Sequence, residues 1–376
     1  FDSGSMPVAQ WHYPFENIDT FKEQFPADFI CEAVDQTRGW ANSLLLENVI
    51  LTGKPQAPYE EFLFQGFVLD AKGRKMSKSL GNVLETKKLL QEKSSDITRF
   101  YFLWKCSPID SMNFDLNELR KRPYQVLSTL YHLHNFFMQN AEYDHFDPTI
   151  HSLAWATNQK LLTEPDMWLL SKVQKLVRNY TKKSEECEFN FALSELEEFV
   201  VNILSREYVP MVRKDLWSDE PETLDRRLAV YSTLWYTLKT LVLLFNPICP
   251  FLSETLHQAV YKKLDSSLAE TINLEYWPIP DTNLENDELE QEFTILQEIL
   301  PIVYSARQNA QLKRRWPLAK VTVVAPKDVQ KAISKLESLF LELANVKTVE
   351  YADELPEVDS ELWATDSEEQ TQVLVY

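Results

Sequence analysis

Apolar and polar positions change period near residue 90. Before it, apolar runs of strand length alternate with polar turns. Residues 28–34, DFICEAV, read as a short buried strand, and Trp40 to Leu51 has the length and apolar richness of a helix. Phe62 to Leu69 reads as a second strand. Strand, helix and strand predict a βαβ unit with a parallel sheet, and ligands of such sheets sit at the carboxyl ends of the strands. The loop GRKMSKSLGN, Gly73 to Asn82, follows the second strand at once. Ser94-Ser95-Asp96 then supplies an N-cap for a helix over 97–105.

Beyond that point the period is helical. Asp115 caps a stretch running past Tyr131 towards Gln139, interrupted at Pro123. Asp166 to Lys183 places Leu169, Val173, Leu176 and Tyr180 on one face. Asn190–Tyr208, Leu224–Phe245 and, after the breaker Asn246-Pro247-Ile248-Cys249-Pro250, Phe251–Leu264 continue the pattern. These predict a helix bundle. Asn273 to Trp277 is expected to be extended. An acidic linker then leads to helix 292–312, strand 320–324, helix 328–344 and strand 346–351. The expected divisions are 1–110 (α/β), 111–278 (all-α) and 279–376 (a small α/β unit).

Glycine usage marks the same change. All six glycines, at 4, 39, 53, 66, 73 and 81, precede residue 82. Glycine serves tight turns and close ligand approach, and long helices exclude it. With 376 residues, 44% apolar and 12% aromatic, the chain has ample material for packed cores. Its formal net charge of −19 disfavours nonspecific polyanion binding, so a nucleic acid would have to meet local basic patches. Cys31, Cys106, Cys187 and Cys249 lie far apart with no CxxC pair. This argues against a zinc site or a disulfide framework and for four core thiols in a reducing compartment. No apolar run is expected to span a bilayer, no leader opens the chain, and a cytoplasmic setting without a membrane partner is expected. Phe1 in place of Met and the strand-like Val373-Leu374-Val375-Tyr376 at the other end suggest a fragment.

Physically, the Gly73–Asn82 loop suits a triphosphate. Lys75 and Lys78 can converge on one side, Gly73 and Gly81 allow folding over a ligand, and Ser77 and Ser79 add hydroxyl donors. Preorganised cations and donors are what a leaving pyrophosphate needs. His132 and His134 stand two apart on different helix sides with no third ligand nearby, so a structural role is expected and no metal site.

Lys75-Met76-Ser77-Lys78-Ser79 is the KMSKS motif, and its setting after a strand resembles class I aminoacyl-tRNA synthetases. The resemblance implies that the loop closes over ATP, with Lys78 stabilising the triphosphate and Lys75 assisting. Residues 32–40, Glu-Ala-Val-Asp-Gln-Thr-Arg-Gly-Trp, are similar to the isoleucyl branch's Glu-Gly-x-Asp-Gln-x-Arg-Gly-Trp, and Phe1-Asp2-Ser3-Gly4-Ser5 resembles its Trp-Phe-Asp-Ser-Gly. By that likeness Glu32 contacts the aminoacyl group, Asp35 and Gln36 hold ribose or aminoacyl polar groups, and Trp40 belongs to the same adenylate site. Ala33 replaces the usual glycine, and Ala41-Asn42 stand where an aromatic is common.

The helical region resembles the anticodon-binding bundle of the isoleucyl, valyl, leucyl and methionyl group, through Leu204-Ser205-Arg206-Glu207-Tyr208-Val209-Pro210-Met211-Val212-Arg213-Lys214 and Phe245 to Leu252. Arg206, Arg213 and Lys214 are expected to neutralise tRNA phosphates. A second basic cluster, Lys313-Arg314-Arg315-Trp316-Pro317, follows Arg307 and Gln311 and resembles the isoleucyl Arg-Trp-Pro stretch. Arg314 and Arg315 are RNA-contact candidates there. Trp316 reads as a core anchor, with stacking on an unpaired base as the other reading. Lys172, Lys175, Arg178 and Lys182 form a stripe expected to face water.

The resemblance implies an isoleucine–tRNA ligase that uses ATP, with Mg²⁺ accompanying it, and isoleucine as small-molecule substrates, takes tRNA(Ile) as partner and works as a monomer. The alternatives are a valyl or leucyl enzyme, or a tRNA-binding module without chemistry. No His-x-Gly-His signature and no inserted editing domain are present, so this chain alone is expected to be inactive.

Overall fold

In the computed structural model, residues 1–218, 220–354, 363–365 and 371–375 are described, with 363–365 described by backbone alone. The chain forms two compact units. The first comprises 1–128, 179–197 and 245–254, and the second 129–178, 198–244 and 255–376.

In the first unit, β1 (Ala27–Ala33) and β2 (Tyr59–Gln65) pair in parallel, with Ala27 opposite Tyr59 and Glu32 opposite Phe64. A parallel pair requires a crossover. Here it is a 3₁₀ turn, Val34–Arg38, followed by helix Trp40–Thr52, which ends at Gly53 in the left-handed region (φ 66°). The predicted βαβ unit is therefore present. Parallel strands and their helices are ordinarily covered on both faces. Phe29, Leu46, Ile50 and Leu51 nevertheless remain exposed.

The predicted strand 62–69 is two strands. β2 stops at Gln65, and β3 (Val68–Leu69) pairs instead with β4 (Met112–Asn113), again in parallel. The chain changes partner because Gly66 N–H donates to the Pro108 carbonyl (2.9 Å) and Phe67 N–H to Ser111 Oγ (3.1 Å). A Cβ on Gly66 would lie 2.1 Å from the Asp110 carbonyl oxygen, so only glycine permits this approach. Leu89, Tyr101, Met112, Phe114 and Leu119 form a core beside this switch, and Met76 and Leu84 pack on it.

Helix Ser95–Lys105 is capped by Ser94, whose Oγ accepts from Asp96 N–H (3.2 Å). The buried Asp96 carboxylate accepts from the Leu252 and Phe251 amides (2.6 and 3.4 Å) at the start of helix Pro250–Leu256. Arg99 donates to the Pro247 and Ile248 carbonyls, both at 2.8 Å. These bonds give the Asn246–Pro250 breaker its partners.

The second unit is mainly helical, as the period predicted. Phe199–Tyr208, a π-helical segment, runs directly into helix Val209–Leu216. Asp166, fully buried, accepts from Tyr208 Oη (2.7 Å), Arg226 (2.6 Å) and Thr163 N–H (2.9 Å). His134 donates from Nδ1 to the Leu130 carbonyl, so its Nε2 accepts from Tyr261 Oη, both at 2.7 Å. His134 is thus structural, and burial lowers its pKa to about 4. In the C-terminal part, β5 (Leu318–Val324) pairs in parallel with β6 (Val346–Tyr351). β7 (Trp363–Thr365) and β8 (Gln372–Val375) complete the order β6-β5-β8-β7.

Several expectations are corrected. Asn273–Trp277 is extended only in part: Ile272–Leu274 forms a 3₁₀ turn capped by Thr271, and the backbone turns extended at Glu275. The helix predicted over 328–344 breaks into Lys327–Lys335 and Glu337–Ala344, because buried Leu336 leaves helical backbone at φ −105° and ψ 26°. Only Cys249 is a core thiol. Cys31 is exposed and Cys106 and Cys187 are half-buried, all free. Among the described residues one helix, Pro221–Phe245, is apolar and long enough to cross a membrane by composition, and 78% of its most apolar stretch is buried, as in the core helix of a packed bundle.

Candidate functional site

Asp70, directly after β3, organises the lysine loop. Its Oδ1 accepts from the Lys72 and Arg74 amides (3.0 and 2.9 Å), and Oδ2 accepts from Arg74 Nε and Asn82 Nδ2, both at 2.9 Å. The Asn82 amide leads these bonds in holding the Asp70 carboxyl well below its ordinary pKa. Asn82 also accepts from Ser77 N–H at Oδ1 (2.9 Å) and donates to the Lys75 carbonyl (3.3 Å). Residues 75–82 therefore form a closed ring with Lys78 in a 3₁₀ turn, Lys78–Leu80, at its far side.

Gly81 closes that turn at φ 64°. Ser77 Oγ accepts from Leu80 N–H (3.3 Å) and lies 3.1 Å from Ser79 Oγ. Lys75 and Lys78 are exposed, and among the described residues neither has a carboxylate partner. The Lys75 ammonium instead lies 4.9 Å from the centre of the Phe67 ring. Met76 turns the other way into the core beside Phe114. The loop thus offers two cations and two hydroxyls on a frame tied at both ends.

Glu32 sits half-buried at the carboxyl end of β1, opposite Phe64 at the corresponding end of β2. Asp35 is exposed in the following turn. Gln36 Oε1 accepts from Trp40 N–H (3.1 Å), leaving its amide NH₂ for a ligand. Trp40 Nε1 donates to the Ser3 carbonyl (2.8 Å), so its polar group is already used and only its ring is available. Sequence reasoning missed Phe67, Asp70, Arg74 and Asn82 as parts of the site. The available signal was an aspartate four residues before Arg74 and an asparagine directly after the loop's closing glycine.

In the second unit, Arg206 donates to Asn202 Oδ1 (2.9 Å), and the Arg213 guanidinium lies 5.3 Å from the Trp217 ring centre. Arg206, Arg213 and Lys214 are exposed and have no carboxylate partner among the described residues. The lysine stripe, which runs from this unit into the first, is paired with carboxylates, and its solvated reading is corrected for the half-buried Lys172 and Lys175, while Arg178 and Lys182 are exposed as expected. Lys172 and Lys175 reach Glu290 (both 3.0 Å), Arg178 pairs with Glu285, and Lys182 faces Glu186 (4.0 Å). In the second basic cluster, Arg314 stacks on Tyr304 (3.4 Å), Arg315 is exposed, and Lys313 lies 5.7 Å from the Trp316 ring. Arg307 is buried and donates to five main-chain carbonyls, those of Lys313, Arg314, Trp316, Ala344 and Asn345. Trp316 is 46% exposed, which corrects its reading as a core anchor: its carbonyl, not its ring, is held.

Residues 1–115 match the model for tRNA synthetases class I (I, L, M and V), and residues 166–323 match the anticodon-binding domain of tRNA ligase. The chain belongs to the class I tRNA synthetases. It is 34% identical to the isoleucine–tRNA ligase of Methanothermobacter thermautotrophicus over 95% of its own length and 33% of that protein. It is 36% identical to that of Clostridium novyi, over 94% and 33%, and 34% identical to that of Thermus thermophilus, over 93% and 33%. The chain therefore spans about a third of the length of the curated relatives it matches.

Its fold is similar to LeuRS of Agrobacterium radiobacter K84 in a ternary complex with tRNA and LeuAMS (TM-score 0.58, 22% identity, 76% of this chain and 33% of that one). It is also similar to Mycobacterium tuberculosis methionyl-tRNA synthetase with methionyl-adenylate (TM-score 0.53, 15% identity, 70% and 51%). The α/β part with its KMSKS loop is thus class I catalytic fold, and the helices that follow are an anticodon-binding domain.

Proposed function

We propose that this chain serves in a cytoplasmic isoleucine–tRNA ligase, with activation carried by 1–110, tRNA binding by 111–278 and a smaller α/β unit from 279 onward. In the first step an isoleucine carboxylate oxygen attacks the α-phosphorus of ATP, and pyrophosphate leaves. Lys78 and Lys75 meet the charge that grows on that leaving group, and the serine hydroxyls add donors. Glu32 faces the substrate ammonium, an opposite charge that favours both ionised forms. Asp35 and the free NH₂ of Gln36 hold ribose or aminoacyl polar groups, against the ring of Trp40. In the second step the 2′-hydroxyl of the terminal tRNA(Ile) adenosine attacks the acyl carbon, and AMP leaves. No covalent bond to the protein is needed, and positioning supplies most of the catalysis.

Mg²⁺ arrives with the triphosphate. Among the described residues, no three His, Cys, Asp or Glu side chains are grouped to hold a metal ion. Arg206, Arg213, Lys214, Arg314 and Arg315 meet tRNA phosphates, and the working form is a monomer.

The observation that carries this reading is the loop that leaves Lys75 and Lys78 exposed without a carboxylate partner on a tied frame. Pyrophosphate exchange by the complete ligase tests it, with isoleucine, valine and leucine compared. Isoleucine-dependent exchange that is lost on Lys78→Gln supports the reading, and exchange driven best by leucine or valine overturns the isoleucine assignment. The 376-residue chain alone is expected to give none.

A further inference from the structure

Resting on the tRNA-binding reading above, we propose that Trp217 is a stacking platform for an unpaired nucleobase, backed by Arg213 and flanked by phosphate-binding cations. Arg206, Pro210, Arg213 and Trp217 are spaced four, three and four apart along one continuous helical run, and all four are exposed. That spacing places them on one face, with Lys214 at its margin.

Three features separate this face from an ordinary solvated one. The chain carries 57 carboxylates against 38 Lys and Arg, so an exposed cation has acidic neighbours in excess. Arg226, Lys172, Lys175 and Arg178 in the same unit are all paired with carboxylates. Arg206, Arg213 and Lys214, among the described residues, are not.

The second feature is the indole. Trp217 is 68% exposed even with a guanidinium against it, whereas Trp168 in the same unit is 1% exposed and stacks on Phe293. A tryptophan held open to solvent forgoes a large hydrophobic gain. The third is rigidity. Trp217 N–H donates to the Arg213 carbonyl (3.1 Å), which fixes the ring's attachment at the helix end while Arg213 holds a position over it. Cations that track a backbone beside an aromatic surface are the arrangement by which proteins bind single-stranded nucleic acid. A duplex offers phosphates but no free base face, so the site favours a loop.

The test uses the 376-residue chain and two fluorescent RNAs, the anticodon stem-loop of tRNA(Ile) and a blunt duplex of equal length, at low and physiological salt. Trp217→Ala is expected to weaken stem-loop binding about tenfold to hundredfold, to leave duplex binding unchanged and to keep the salt slope. Trp217→Phe restores most of the loss, and both variants melt as wild type does. Lys214→Gln weakens both RNAs and lowers the salt slope by about one. If Trp217→Ala binds the stem-loop as wild type does, or weakens both RNAs equally, the stacking role is wrong while tRNA binding stands. If wild type binds neither RNA, the underlying tRNA reading fails and this inference with it.

Discussion

Asn82 donates its side-chain amide to Asp70 across twelve residues, at 2.9 Å, and accepts from Ser77 N–H with the other end of the same group. One side chain thus sets both the base and the middle of the loop that carries Lys75 and Lys78. Misplacing catalytic groups by about 1 Å costs on the order of a hundredfold in rate. Asn82→Ala in the complete ligase is therefore expected to lower kcat of pyrophosphate exchange about tenfold to hundredfold with little change in melting temperature. Asn82→Asp is expected to be worse, since it sets a second carboxylate against Asp70. Exchange at the wild-type rate by the alanine variant would show that the loop is positioned by other means.

Lys78 and Lys75 are not equivalent. Lys75 rests against Phe67, whereas Lys78 has no such contact among the described residues and sits in the loop's 3₁₀ turn. Removing one preorganised donor to a developing charge costs about 10² to 10³ in rate. Lys78→Gln is expected to lose that much in kcat, and Lys75→Gln less, with part of its effect in the KM for ATP. Steady-state exchange over a range of ATP concentrations separates the two, and equal losses would remove the distinction.

Much of the fold was legible because its signals are local. The βαβ unit, the Ser94 and Asp115 caps and the long helices follow from period and capping, and the structure has them. Where the reading failed, the cause was tertiary. Nothing in Phe62–Leu69 announces that Gly66 must meet the Asp110 carbonyl and turn the chain to a new partner. Lys172 and Lys175 looked solvated because their partner, Glu290, lies more than a hundred residues away. Lys75 and Lys78 could be named from the motif, but the Asp70–Asn82 frame depends on a bond that spacing alone does not reveal.

Gly66 gives a direct check of the strand switch. Its missing Cβ would meet backbone atoms of Asp110 and Ser111 at 2.1 to 2.5 Å, which no rotamer change relieves. Gly66→Ala is expected to destabilise the chain by about 1–3 kcal/mol through forced backbone shifts. Urea unfolding measures this. An unchanged midpoint would mean that the 108–111 segment yields freely.

Asp166 is the acceptor for Tyr208, Arg226 and Thr163 in the second unit and is fully buried. Removing one partner of a buried charged network leaves the others unsatisfied, at about 3–5 kcal/mol. Asp166→Ala is expected to show that loss in urea unfolding. Asp166→Asn, which keeps the acceptor oxygen, should lose less, and Arg226 retains Asp215 at 2.9 Å in both. Equal losses from both variants would put the stabilisation in the charge rather than in the hydrogen bonds.

His134 supplies the pH dependence. Burial holds its folded-state pKa near 4, against an ordinary 6.5, because desolvation penalises the imidazolium by more than the bond to the Leu130 carbonyl favours it. Below pH 6.5 the unfolded chain takes up a proton that the folded chain refuses, so stability falls with acid until about pH 4 and then levels. The loss from this one residue reaches about 2 kcal/mol by pH 5 and about 3 kcal/mol at its limit. His134→Gln does not titrate. Urea unfolding of both proteins between pH 7 and 5 should show wild type losing about 2 kcal/mol more than the variant, beyond the carboxylate titrations they share. A stability difference independent of pH over that range would mean that His134 is charged in the folded protein, and that Tyr261 no longer donates to it.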